Sequence, residues 1–258
     1  MIAAAGAAIH SAAVFPRARP PTRLAAKPDG DMRNIYITPE LFGFLRELKR
    51  HNDRAWFKAN QRRYEAVVRD PLLQFIEDFR PRLKQISREL RADVRTVGGS
   101  LFRIQRDTRF SPDKTPYKTH AGVQFRHAAG KDVHAPGFYV HLAPDEVFVA
   151  TGVWRPDRHA LQAIRAAIAA EPAAWRRVVR ELDKRGYALE GDSLKRVPGG
   201  FEPDHPLAED LKRTDFVTSR EFSERAACRA DFVDRISAAF EGMAPLPRFL
   251  ARALGLGW

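Results

Sequence analysis

Cysteine is almost absent from this chain, and that narrows the chemistry at once. The one cysteine, Cys228, excludes an intrachain disulfide framework and any zinc site built from several thiolates. It lies in Arg225-Ala226-Ala227-Cys228-Arg229, a helical pattern, and reads as a small packed residue rather than a nucleophile. No apolar run reaches the ~18 residues that a membrane-crossing helix needs. There is no P-loop, no G-x-G-x-x-G, no G-x-S-x-G elbow and no H-E-x-x-H. These gaps remove the disulfide-stapled, membrane-spanning and motif-marked nucleotide, hydrolase and zinc-protease classes. The expectation is a cytoplasmic protein with no cofactor, no metal and no membrane partner.

What is present is a core and an excess of positive charge. Hydrophobic residues are 44% and aromatics 10% of 258, enough for one large domain. The net charge is +12. The first 33 residues hold Arg17, Arg19, Arg23, Lys27 and Arg33 against Asp29 and Asp31, a net +3, so +9 belongs to the rest. A basic body attracts nucleic acid, anionic metabolites or acidic surfaces. An arginine-rich composition spread over solvated faces gives the same number with no partner at all. Residues 1–34 read as a disordered or misassigned extension, rich in Pro, Arg and Ala, with Met32 as a second start. An Arg-bearing, acid-poor leader also has the composition of a targeting peptide. Residues 35–258 read as a single α+β domain.

Thr38-Pro39-Glu40 starts a helix whose apolar face is Leu41, Phe42, Phe44, Leu45 and Leu48. Asp53 caps a second helix bearing Trp56, Phe57, Tyr64 and Val67. Asp70-Pro71 opens a third, in which Pro81 predicts a kink or break. Strands are expected at 101–105, 121–126, 137–142 and 146–154, spaced closely enough for an antiparallel meander. Helices follow at 157–170, 172–184 and about 223–240, with loops and short strands over 187–220. The fold class is therefore α+β, an antiparallel meander sheet packed with N-terminal and C-terminal helices.

The stretch that stands out is Arg103-Ile104-Gln105-Arg106-Asp107-Thr108-Arg109-Phe110-Ser111-Pro112-Asp113-Lys114-Thr115-Pro116-Tyr117-Lys118. It crowds five cations around two carboxylates in a loop with little apolar burial to offset its ordering entropy. Ligand-binding candidates are Arg103, Arg106, Asp107, Arg109, Lys114, Tyr117 and Lys118. A second basic turn, Leu194-Lys195-Arg196-Val197-Pro198-Gly199-Gly200, offers Lys195, Arg196 and free backbone N–H groups as a second wall. Side chains alternate along strands, so Arg103, Gln105, Gln124, Arg126, Tyr139 and His141 fall on one face, an expected pocket floor. Tyr139 and His141 are the acid/base candidates, taken as catalytic. The even histidine spacing at 120, 127, 134 and 141 suggests a metal, but no carboxylate pairs with His127 or His134.

Seven separated segments carry a family resemblance. They are Phe44-Leu45-Arg46-Glu47-Leu48, Asn52-Asp53-Arg54-Ala55-Trp56-Phe57, Arg103-Ile104-Gln105-Arg106-Asp107-Thr108-Arg109-Phe110, Asp113-Lys114-Thr115-Pro116-Tyr117-Lys118, Gly137-Phe138-Tyr139-Val140-His141-Leu142, Gly152-Val153-Trp154-Arg155-Pro156 and Leu194-Lys195-Arg196-Val197-Pro198. In that order they resemble the domain of unknown function family 2461, over about residues 38–245. The resemblance implies one intact domain and marks Arg106, Asp107, Arg109, Lys114, Tyr117, Lys118, Tyr139 and His141. It names no reaction.

Three readings stand open. The first is a site for a small anionic, phosphorylated ligand, with or without catalysis by Tyr139 and His141. The second is nucleic-acid binding, with Tyr117 and Phe110 as stacking platforms. The third is structural: Asp107 pairs with Arg109 or Arg106, Asp113 caps a turn, and the loop pins the sheet to the helices. The first reading expects Arg106→Ala or Arg109→Ala to abolish ligand binding and spare the fold. The third expects the same variants to unfold.

Overall fold

The computed structural model describes residues 33–129 and 135–258. The N-terminal extension up to residue 32, and His134, lie outside those residues. Asn34 already belongs to the folded body, one residue earlier than the sequence implied. Its side-chain amide donates to the carbonyls of Ile37, Ala227 and Arg229, at 3.1, 2.9 and 3.0 Å.

Three front helices come first: α1 (Pro39–Arg50), α2 (Arg54–Tyr64) and α3 (Asp70–Ile86). Asp53 caps α2 as expected, accepting from the Trp56 N–H at 2.9 Å. The expected start at Asp70-Pro71 is different in kind. Helix α2 does not stop before it, but widens through a π-helical turn, Glu65–Arg69, and runs on into α3. The Asp70 N–H donates to the Glu65 carbonyl, five residues back. Pro71 lacks the N–H that an ordinary turn would need, and its ring would press on the carbonyl four residues back. The wide turn removes that conflict. The break expected at Pro81 does not occur either. Phe79 and Leu83, on either side of it, are fully buried and hold the axis through the missing hydrogen bond.

The sheet has the expected meander order: β1 (Leu90–Arg91), β2 (Ala121–His127), β3 (Gly137–Ala143), β4 (Glu146–Val153) and β5 (Phe216–Phe222), each antiparallel to the next. Pro144-Asp145 turns β3 into β4, with Asp145 at φ 67°. The stretch 101–105 is not a full strand. It touches β2 through one bridge, Leu101 to Val123, and then leaves the sheet. The back half adds α4 (Arg158–Ala170), α5 (Pro172–Lys184), α6 (Ala208–Lys212), α7 (Glu224–Ala227), α8 (Phe232–Met243) and α9 (Pro245–Ala253). The single helix expected over 223–240 is two, because the chain turns at 228–231. The last helix, α9, is not among the expected elements; Pro245 and Pro247 both lie in its first turn, where a missing N–H is harmless.

One sheet face is covered by these helices. Phe240 of α8 stacks on Phe138 at 4.3 Å and meets Phe79 and Phe125 edge-on. Trp175 of α5 packs on Phe216 and Phe249. The other face carries Gln124, Tyr139, His141, Phe148 and Ser219, aligned by the register Gln124–Tyr139–Ala150–Ser219. Among the described residues no helix is long and apolar enough to cross a membrane.

Phe240→Ala should lower unfolding free energy by about 3–5 kcal/mol in urea titration, the usual cost of deleting a buried ring. Phe110→Ala, at a residue 86% exposed, should change it by less than about 0.5 kcal/mol.

Candidate ligand-binding cavity

The basic stretch folds as a hairpin. Gln105 bridges to Tyr117, the Arg106 N–H donates to the Pro116 carbonyl at 2.9 Å, and the Lys118 N–H donates to the Ile104 carbonyl at 2.8 Å. Asn52, at the α1–α2 junction, holds its base. The Asn52 amide donates to the Tyr117 carbonyl at 2.9 Å, and the Tyr117 N–H donates back to Asn52 Oδ1 at 3.0 Å. The Tyr117 ring stacks on Phe57 of α2 at 4.1 Å. Hairpin and helix are thereby locked face to face.

A cavity of about 300 Å³ lies between them. One wall is a helical stripe, Phe57, Lys58, Gln61 and Tyr64, continued by Glu65 and Arg69 of the π-helical turn. The opposite wall is Phe102, Arg103, Ile104 and Gln105, with Tyr117 between. Glu65 is the one carboxylate in the lining, and it accepts from Arg69 at 2.7 Å. Lys58 and Arg103 have no carboxylate partner among the described residues. Tyr64 is 8% exposed. The residue borders the cavity, and its hydroxyl makes no hydrogen bond to another of the described residues. Burial pushes that phenol from an ordinary 10 up to about 12, so it is a donor at neutral pH.

The other hairpin cations are used internally. Arg106 grips Asp113 and the Thr115 hydroxyl. Arg109 grips Asp107 with two bonds, of 2.9 and 2.6 Å. Lys114 Nζ donates to the Thr108 carbonyl at 3.0 Å. Lys118 Nζ donates to the Arg103 carbonyl at 2.9 Å and lies over the Phe102 ring. Burial first, and then the charge of Arg103, depresses the Lys118 ammonium below its ordinary value.

The expected pocket floor therefore splits. Leu101 takes the core side opposite Val123, so the next residue facing the polar sheet surface is Phe102, not Arg103 or Gln105. Phe102 meets Tyr139 at 5.8 Å, while Arg103 and Gln105 turn to the cavity. Tyr139 and His141 stay on the sheet face, joined by a 3.0 Å bond between the phenol oxygen and Nδ1. His141 stacks on Phe148 at 4.7 Å and has Glu146 3.7 Å from Nε2. Gly122 makes room for this pair, since a Cβ there would stand 2.6 Å from the Tyr139 oxygen. Burial, and then the charge of Glu146, holds the Tyr139 phenol above its ordinary value, so it donates rather than abstracts a proton.

Lys195 and Arg196 are not brought to this place. Their turn follows bridges from Glu190 to Val217 and from Ser193 to Arg213, beyond β5. That edge lies about 20 Å from β1 by strand spacing. His127 is buried, with Nε2 against the Gly257 carbonyl at 2.8 Å. Among the described residues no three His, Cys, Asp or Glu side chains gather as a metal site. The α2 wall was missed in the sequence because Phe57 and Tyr64 fit a core stripe. Lys58 and Gln61, adjoining that stripe, were the available signal.

The model of a conserved hypothetical protein family, DUF2461, matches residues 40–249. The chain belongs to this family. The match takes in all of α1 but its first residue, the hairpin, the whole sheet and the first half of α9. No curated protein matches the chain.

Asp107 and Asp113 are both held at about 2, against an ordinary 3.8, Asp107 by the Arg109 guanidinium and then the Arg109 N–H, Asp113 by the Thr115 N–H and then the Arg106 guanidinium. A depressed carboxylate stabilises the folded form above its ordinary pKa and loses that effect as pH falls through the depressed one. The amide shifts of Arg109 and Thr115 should therefore hold down to about pH 3 and titrate near pH 2 in NMR spectra. Midpoints near pH 4 would mean that these pairs do not persist.

Proposed function

We infer that this protein binds a small anionic ligand, phosphorylated in kind, in the cavity between α2 and the hairpin. The observation that carries the reading is that Arg103 and Lys58, which have no carboxylate partner among the described residues, line one cavity together with Tyr64. Cations that line one space without a carboxylate partner repel one another, and an anion relieves that. Like charges side by side, as at Arg103 and Lys118, are relieved the same way. Guanidinium, ammonium and phenol are donors suited to phosphate oxygens.

The nucleic-acid reading has less to draw on. Tyr117 is taken up against Phe57, which leaves Phe110 as the one exposed platform of the two expected. Strand binding favours several platforms in a row. Tyr139 and His141 enter this reading as a neighbouring hydrogen-bonding pair behind Phe102, and no reaction is assigned to them.

Of the residues picked from the sequence, Arg103 should matter most, Arg109 should matter little, and Tyr64 joins them. Arg103→Ala should weaken binding of pyrophosphate, used as the probe in calorimetry, by roughly 10- to 100-fold, the loss of one or two charged hydrogen bonds. Tyr64→Phe should weaken it roughly 5-fold with an unchanged melting temperature. Arg109→Ala should leave binding nearly intact, because Asp107 already occupies that guanidinium. If Arg109→Ala abolishes binding and Arg103→Ala does not, the cavity is the wrong place.

A further inference from the structure

The sheet face turned away from the helices carries charges that the chain itself does not neutralise. Arg91 of β1 stands directly opposite Arg126 of β2. Both are exposed, and neither forms an ion pair among the described residues. Asp93, close enough to feel the Arg126 charge, is already gripped by Arg95. Like charges opposite each other on adjacent strands are destabilising by themselves. The far side of the same face is acidic. Glu190, bridged to Val217 beyond β5, and Glu221 of β5 form no ion pair among the described residues. The Glu190 carboxylate accepts from the Ser219 hydroxyl at 2.8 Å. Burial, and then the charge of Glu221, push that carboxyl above its ordinary value.

Strand register sets these charges at opposite ends of one row. Arg91 pairs with Arg126, Arg126 lies beside Gly137, Gly137 pairs with Gly152, Gly152 with Val217, and Val217 bridges to Glu190. The neighbouring row runs Gln124, Tyr139, Ala150, Ser219. A half-turn about an axis along the strands, midway between β3 and β4, reverses each row end for end. Arg91 then faces the partner's Glu190, Gly137 faces the partner's Gly152, and Tyr139 faces the partner's Ala150. A half-turn about an axis across the strands would instead lay the basic edge on itself. The two glycines let the sheets approach closely, and Ala150 leaves a hollow that a ring can fill. The five strands, of up to eight residues, span roughly 24 by 23 Å at ~4.8 Å between strands and ~3.3 Å per residue. Covering that face on two copies removes about 1,100 Å² from water, above the ~1,000 Å² of a specific interface.

We propose that two copies of this chain pack through this face as a two-fold dimer, sheet on sheet with their strands aligned, Arg91 of each copy against the partner's Glu190. Each copy thereby supplies the counter-charge that the other lacks, and one patch serves both sides, as a two-fold interface requires. The dimer forms whether or not the cavity between α2 and the hairpin holds an anion.

The test is sedimentation velocity on the full chain at micromolar concentrations, with circular dichroism to show that each variant is folded. The unaltered chain is expected to sediment as a dimer. Arg91→Glu and Glu190→Arg each set like charges across the contact, and each should raise the dimer dissociation constant at least about 10-fold. An equimolar mixture of these two variants places opposite charges at both contacts and should restore the dimer. Ala150→Trp, which fills the hollow facing the partner's Tyr139, should give a monomer. A chain that stays monomeric up to its solubility limit overturns the proposal. So does a dimer that survives Arg91→Glu or Ala150→Trp, and so does a mixture of folded variants that stays monomeric. Should Glu190→Arg not fold, Arg91→Glu and Ala150→Trp decide: both monomeric supports the interface, and either one dimeric sinks it.

Discussion

The two-way hydrogen bonding between the Asn52 side chain and the Tyr117 backbone is the constraint on which the hairpin depends. A single amide imitates a neighbouring strand, giving one bond and accepting one, at a point where no strand is available. Without it the hairpin would hang from β2 by the Leu101–Val123 bridge and a few backbone bonds. With it, the Tyr117 ring is delivered onto Phe57, and the space between hairpin and α2 acquires two fixed walls. The cavity is a product of that docking rather than a gap in the core.

The hairpin then divides its cations by purpose. Arg106 and Arg109 are neutralised by Asp113 and Asp107 and shape the loop, as the structural reading of the sequence anticipated. These pairs are exposed, so salt screens them and each contributes little on its own. Arg103 sits at the hairpin's base, where it forms no ion pair with either aspartate, although its charge helps to hold Asp107 ionised, and it lines the cavity. Ion-paired and cavity-lining cations thus lie three residues apart in one segment. The sheet face behind Phe102, with Tyr139 against His141, is a separate polar surface that shares only that ring with the cavity.

Much of the architecture was legible because the periodicities are strong. The three central strands, the Pro144-Asp145 turn, the start of α4 beside Asp157 and the whole of α5 follow directly from alternation, caps and turn residues. Two differences turn on proline. Pro71 reads as a helix start and Pro81 as a kink or break, and the chain stays helical through the first by a wide turn and unbroken through the second. The site was half legible. Charge density found the hairpin, but strand parity failed at 101–105 because the chain leaves the sheet after Leu101, and parity assumes a continuous pleat. Which arginines face inward depends on carboxylate reach, a matter of three-dimensional distance that spacing does not encode.

The π-helical turn at Glu65–Arg69 also fixes the phase of everything after it. One residue more than a regular turn needs rotates the following helix by about 100° relative to the preceding one. Helix α2 can therefore show Lys58, Gln61 and Tyr64 to the cavity while α3 shows Phe75, Phe79 and Leu83 to the core. In evolutionary terms the segment behaves as a reading-frame element. Losing one residue there would close the turn, swing the Phe75–Phe79–Leu83 stripe off the sheet and remove Glu65 and Arg69 from the cavity wall together. The spacing between Tyr64 and Leu72 therefore sets the phase of both apolar stripes at once.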